Sequence, residues 1–157
     1  MDFKVFIEIP KDSKVKYEVD EKTGELIADR FLHGANYFPF NYGYVVDTKG
    51  EDGDPLDVVM LSSQPIYPGV TVKCHAIGYL EMEDDGGIDT KIIAVADKKI
   101  DPIYGSYEKL EDANEMELAR VKDFFGVYKN LEKGKWVKMG EFQGREKAEE
   151  LINNSKE

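Results

Sequence analysis

The chain has 157 residues, 41% of them hydrophobic and 34% charged, enough for one globular domain with a sizeable core and too apolar for wholesale disorder. Acidic residues outnumber basic ones 32 to 21, for a formal net charge of −11, which argues against a general nucleic-acid binder and against any anionic ligand taken up without a cation or a local basic pocket. The single cysteine excludes an internal disulfide and a cysteine-cluster zinc site, and no run approaches the ~18 apolar residues of a membrane span. Met1-Asp2-Phe3-Lys4 enters strand-like alternation without a charged-then-apolar signal segment, which favours the cytoplasm.

Residues 3–9 read as a strand with Phe3, Val5, Ile7 and Ile9 on one face and Glu8 on the other. Residues 14–19 alternate likewise, so Lys16 and Glu18 project together, and Lys22-Thr23-Gly24 turns the chain into a second hairpin arm, Leu26–Arg30. Strands are expected at 41–47 and 55–62, on either side of an acidic loop. Val70, Val72, Cys74 and Ala76 alternate with Thr71, Lys73 and His75, which predicts a half-buried strand with a buried thiol and an exposed imidazole. After the turn Asp84-Asp85-Gly86-Gly87, residues 88–96 read as one strand with Asp89 and Lys91 on the same face. Leu118, Val121, Phe125 and Tyr128 then recur at helical spacing, with Asn114 as N-cap and Glu132-Lys133-Gly134 as the stop. A short strand over 135–139 and a second helix around Ala148, Leu151 and Ile152 complete the chain. Strands first and helices last predict a single α+β domain, mainly β, over residues 1–157, its sheet curled into a barrel.

The densest chemistry is Asp52-Gly53-Asp54-Pro55-Leu56-Asp57. Gly53 permits a tight bend, Pro55 stiffens the chain, and three crowded carboxylates repel one another unless a cation joins them. A hard divalent ion with oxygen ligands fits this chemistry; a solvated acidic turn fits the same residues. The spacing does not fit an EF-hand loop, because position 6 from Asp52 is Asp57 where glycine is required. Asp84, Asp85 and Asp89 form a second acidic cluster, and Lys16, Arg30, Lys91, Lys129 and Lys135 supply scattered cations that could equally be surface charge. The aromatic stretch Tyr37–Tyr44 reads mostly as core, with a tyrosine hydroxyl or two free to meet a phosphate oxygen. No glycine-rich phosphate loop and no nucleophilic serine motif appears. Two acidic clusters with basic and phenolic groups, and no covalent nucleophile, suit metal-assisted hydrolysis of a phosphoanhydride.

At these residues the chain resembles the soluble inorganic pyrophosphatases of family I, in their bacterial form. The resemblance runs from Ile7-Glu8-Ile9-Pro10 to Lys129-Asn130-Leu131-Glu132-Lys133-Gly134-Lys135-Trp136, and its most specific element is the signature Asp52–Asp57, supported by Lys16-Tyr17-Glu18, Asp29-Arg30, Asn41-Tyr42-Gly43-Tyr44 and Asp89-Thr90-Lys91. It implies a five-stranded, OB-like closed barrel with two flanking α-helices. It implies Mg2+-dependent hydrolysis of pyrophosphate to two orthophosphates by direct attack of a metal-activated water, several Mg2+ per site, with Mn2+ or Zn2+ as substitutes. By position, Asp52, Asp57, Asp84 and Asp89 would hold metal, with Glu8 and Glu18 completing the acidic rim. Lys16, Arg30, Tyr42, Tyr128 and Lys129 would grip phosphate oxygens, with Lys91 close by. Asp54 would accept the proton from the attacking water, with Asp89 as the alternative acceptor. The resemblance also implies a homo-oligomer, a homohexamer by preference, although Asp123 and Val127 stand where relatives carry histidines near subunit contacts, and Phe38 stands where many carry tyrosine. The competing expectations are a non-catalytic OB-type module binding metal or oligonucleotide, and a relative acting on nucleotides or organic phosphoanhydrides.

Overall fold

The computed structural model describes residues 1–157. Nine strands are present: β1 (Asp2–Ile9), β2 (Val15–Val19), β3 (Leu26–Phe31), β4 (Asn41–Val45), β5 (Asp57–Leu61), β6 (Thr71–Asp84), β7 (Gly87–Ile88), β8 (Lys91–Ala96) and β9 (Val137–Gly144). Helix α1 (Glu115–Val127) precedes β9 and helix α2 (Arg145–Asn154) follows it. Strands β1, β4, β5, β8 and β6 pair in that order, and β6 pairs back with β1, which closes a five-stranded barrel. The α+β class and the closed barrel with two helices are therefore as the sequence suggests. No helix is long and apolar enough to cross a membrane.

Each barrel strand contributes to one buried cluster that fills the interior, including Val5 and Ile7 of β1, Val45 of β4, Val58 and Met60 of β5, Cys74 and Ala76 of β6, and Ile92 and Ala94 of β8. Ala148 and Ile152 of α2 join it. The residues between them on β5 and β8, Val59, Leu61, Ile93 and Val95, face outward into a second cluster beneath α1, where Val121, Phe124 and Phe125 cover them. Both faces of β5 and β8 are thus buried, which explains why these two strands read as unbroken apolar runs and why they can pair in parallel. Each of them opens on a charged residue, and the register sets Asp57 directly opposite Lys91 at one end of the barrel. The N-cap of α1 is as expected: the Asn114 side chain accepts from the Met116 N–H at 2.8 Å.

Several boundaries differ from expectation. The strand expected at 70–76 runs on to Asp84, with a register shift between Ala76 and Gly78 that bends it, so that its far half can pair with β9 as well as β8. The strand expected over 88–96 is broken at Asp89-Thr90, which leave the ladder between β7 and β8. The last strand starts and ends later than 135–139, over Val137–Gly144. Helix α1 stops at Val127 rather than near Gly134, because the chain beyond it turns back to meet other segments through Lys129, Glu132 and Lys135. His75 is buried rather than exposed; its Nε2 lies 2.7 Å from the Tyr107 carbonyl oxygen, because the segment carrying the short 3-10 turns at Tyr104–Ser106 and Leu110–Asp112 folds over that face.

Gly43 sits on β4 where the backbone of β1 leaves no room for a side chain. It pairs with Ile7, and a Cβ there would stand 1.8 Å from the Phe6 carbonyl oxygen. Gly43→Ala must therefore push β1 from β4, and a loss of about 3 kcal/mol is expected in urea melts. An unchanged midpoint would contradict the close approach.

Candidate active site

The open end of the barrel is organised by Lys91. Its side chain is only 2% exposed, yet it carries an ammonium. The ammonium donates to Tyr42 Oη at 2.6 Å, to Asp57 Oδ2 at 2.8 Å and to Asp89 Oδ2 at 2.9 Å. Three N–H donors meet three acceptors, so no donor is left unpaired. The rings of Tyr42 and Phe125 lie 5.2 and 5.3 Å from the nitrogen and wall it from solvent. Burial alone would lower the lysine's pKa; Asp57, Tyr42 and Asp89 together outweigh it and hold it well above the ordinary range.

Around this centre the remaining charges arrive from distant segments. Lys129, just past α1, bonds Asp84 at the end of β6 at 3.1 Å. Lys16 on β2 reaches Glu18 at 3.7 Å and Asp29 at 3.3 Å, and Asp29 also binds Arg30 beside it on β3. Glu8 on β1 accepts the Val19 N–H at 3.1 Å and so ties the β2–β3 hairpin to the barrel. In the loop before β5, Gly53 adopts φ 87°, Asp52 Oδ1 accepts the Asp54 N–H at 3.0 Å, and the Gly50 N–H meets the Asp54 carbonyl at 2.7 Å.

A cavity of about 630 Å³ opens between these elements, and every site residue proposed from the sequence lines it: Glu8, Lys16, Glu18, Arg30, Tyr42, Asp52, Asp54, Asp57, Asp84, Asp89, Lys91, Tyr128 and Lys129. Asp85 of the second acidic cluster does not; it pairs outward with Lys135 at 3.3 Å. Three lining residues with polar side chains, Tyr44, Tyr17 and Glu21, were not among the proposed site residues. Tyr44 shares the strand face of Tyr42 two residues away, a period-2 signal that was available. Tyr17, inside the element Lys16-Tyr17-Glu18, reaches the cavity next to a register shift in the hairpin, whereas Glu21 comes from an ordinary-looking turn and carries no sequence signal.

The family model described as inorganic pyrophosphatase matches residues 5–157. The chain belongs to the inorganic pyrophosphatase family. A relative from Nanoarchaeum equitans named inorganic pyrophosphatase is 48% identical over 157 residues, covering 100% of this chain and 97% of that protein. One from Aquifex pyrophilus, of the same name, is 48% identical over 96% of this chain and 85% of its own length. The solved inorganic pyrophosphatase of Helicobacter pylori superposes with a TM-score of 0.95 at 42% identity, over 98% of this chain and 91% of that one. The family read from the sequence, and with it the enzyme class of a hydrolase, is the correct one. Within the pyrophosphatase fold, Phe38 is core rather than cavity: it is buried, with its ring 4.7 Å from that of Phe124.

The carboxylates of this pyrophosphatase cavity crowd one another. Burial, with Asp57 and Glu18 nearby, lifts Glu8 from 4.5 to about 7 against the bond from Val19 and the charge of Lys16. Burial also lifts Asp89, as does Asp57, while Lys91 opposes the rise. Asp54 is raised by burial and then by its neighbour Glu21. Such groups are short of positive charge. No three of them converge on one point as they stand. Asp57 and Asp89 each give Oδ2 to Lys91, however, and keep Oδ1 free, so the donor set of hard oxygens fits a divalent cation bound through single carboxylate oxygens.

Glu8 gives this crowding a measurable sign. Its raised pKa means that the folded chain holds the proton more tightly than the unfolded one. Its contribution to stability is full below 4.5 and is lost as pH rises through about 7. In metal-free buffer Glu8→Gln is expected to match the parent chain at pH 4 and to exceed its stability at pH 8 by on the order of 2 kcal/mol in urea melts. A difference independent of pH would contradict the assignment.

Proposed function

We propose that the chain hydrolyses inorganic pyrophosphate to two orthophosphates with Mg2+ as cofactor and without a covalent intermediate. The observation that carries this is one cavity, in a chain of net charge −11, where carboxylates of two separate acidic segments meet Lys16, Arg30, Lys129, Tyr42 and Tyr128. A tetra-anionic substrate needs both parts: cations fixed on the protein, and carboxylates that bring in mobile ones.

Asp52, Asp57, Asp84 and Asp89 would hold the ions, with Glu8 and Glu18 on the rim. Bound Mg2+ supplies charge neutralisation of the phosphates and lowers the pKa of a coordinated water toward ~7. Arg30, Lys16, Lys129 and Tyr128 grip phosphate oxygens from the hairpin side and the helix side of the cavity. Lys91 lies beneath them; its three donors are taken by Tyr42, Asp57 and Asp89, so it keeps that trio in place and lends its charge to the bound anion. Asp54 accepts the proton of the attacking water. Burial raises the pKa of both Asp54 and Asp89, but Asp54 carries no lysine partner, whereas Asp89 is paired to Lys91. Assembly as a homo-oligomer, a hexamer by the family resemblance, belongs to the same proposal.

Phosphate release from pyrophosphate should be fast with Mg2+ and collapse with EDTA, and pyrophosphate should outrun ATP. Absence of release across a Mg2+ titration overturns the proposal.

The two loop aspartates should separate. Asp57→Asn is expected to lose Mg2+ affinity, by calorimetry, together with turnover, each by roughly tenfold or more. Asp54→Asn should lose turnover on the order of a hundredfold while keeping Mg2+ affinity. Equal, mild effects of both break the role assignment.

A further inference from the structure

Arg30 is held in an unusual way. It sits on β3, and β2–β3 form a two-stranded sheet of their own, so the barrel ladder does not align it. Its Nη1 donates to Asp29 and its Nη2 donates to Glu132 at 3.3 Å. Its Nε is buried and has no partner. A guanidinium is planar, with its five N–H donors in a fixed fork, so anchoring both terminal nitrogens sets the plane and the directions of the three donors that remain.

Asp29 cannot do this alone. It is the neighbouring residue on the same strand and is shared with Lys16 at 3.3 Å. Glu132 comes from the segment after α1, and its side chain is only 14% exposed, so water competes weakly for the pair. That segment also carries Tyr128 and Lys129 on the cavity wall, and Lys129 and Lys135 tie it to Asp84 and Asp85 at 3.1 and 3.3 Å. Glu132 therefore connects the arginine of one cavity wall to the lysine and tyrosine of the other.

We infer that Glu132 is a positioning residue for substrate binding: it holds the Arg30 guanidinium in the cavity lining with its spare terminal N–H groups available to a phosphate oxygen, and sets its spacing from Lys129. This rests on the pyrophosphatase function proposed above. Glu132 itself touches no substrate. Its loss leaves Arg30 charged but free to swing about the Asp29 contact.

The test is a double-mutant cycle on the full chain, with pyrophosphate at saturating Mg2+. Glu132→Gln keeps the shape and removes the charge. It should raise KM on the order of fivefold, with kcat changed less than about twofold and the unfolding midpoint preserved. In an Arg30→Gln background the same substitution should add nothing. Calorimetric binding of phosphate in the presence of Mg2+, on the same four proteins, completes the cycle where turnover is too slow to follow. A KM unmoved by Glu132→Gln, or a rise of the same factor in both backgrounds, overturns the inference, since Glu132 would then act on the loop and not through Arg30. An unsubstituted chain inert toward pyrophosphate overturns the proposed function and this inference with it.

Discussion

A buried ammonium must find partners for every N–H or lose its charge. Lys91 meets that constraint, and much of the structure follows from how it does so. Its partners come from three places: Tyr42 on β4, Asp57 at the start of β5, and Asp89 in the break before β8. Asp57 and Lys91 are register partners in the one parallel pairing of the barrel. The ion pair and the strand register therefore specify each other. Slipping β8 by one residue would point Lys91 to the other face and leave Asp57 without its cation. Such a pair adds little net stability once desolvation is counted, but breaking it leaves an uncompensated buried charge. Its contribution is to geometry.

The rest of the cavity repeats this pattern at lower burial. Carboxylates outnumber cations in the whole chain, and at the barrel mouth each cation is shared or stretched between partners: Asp29 serves Lys16 and Arg30, and Lys129 spans to Asp84. The protein's own lysines and arginines leave several carboxylic acids under-compensated, which is why burial and like charge raise Glu8, Asp54 and Asp89. Under the proposed function, divalent cations would relieve this deficit and let the site accept a highly charged anion that the net charge of the chain would otherwise repel. The aromatic cluster beneath, Phe38, Phe40, Tyr42, Phe124, Phe125 and Tyr128, keeps water from the lysine and couples α1 to the barrel mouth.

Much of the fold and nearly all of the candidate site were legible in the chain. Strand β1 and helix α1 announce themselves by period, since one face of each meets solvent and the other the core, and the β2–β3 hairpin by the turn between its arms. The run Asp52–Asp57 carries its own signal, because crowded carboxylates on a constrained backbone call for a cation. Less legible were the elements buried on both sides or bent partway. β6 runs eight residues beyond Ala76 because pairing with β9 sustains it, and pairing is not a local property. His75 alternates like a solvent-facing residue, and only the segment folded over it makes it buried.

Composition, strand period and residue type by themselves determined the class of fold, the acidic loop and the identity of the groups that could meet a phosphate and its cations. Tertiary structure alone decided their relations. Lys91 could have been a surface charge or a buried counter-ion; closure of the barrel, setting Asp57 beside it, makes it the latter. Glu132 looked like part of a helix stop, and becomes the partner of Arg30 because the chain turns back after Val127 and crosses 102 residues of sequence to β3. Charge and periodicity are written residue by residue. The partner that satisfies a buried charge is set by which strands close against each other, and that is a property of the folded chain.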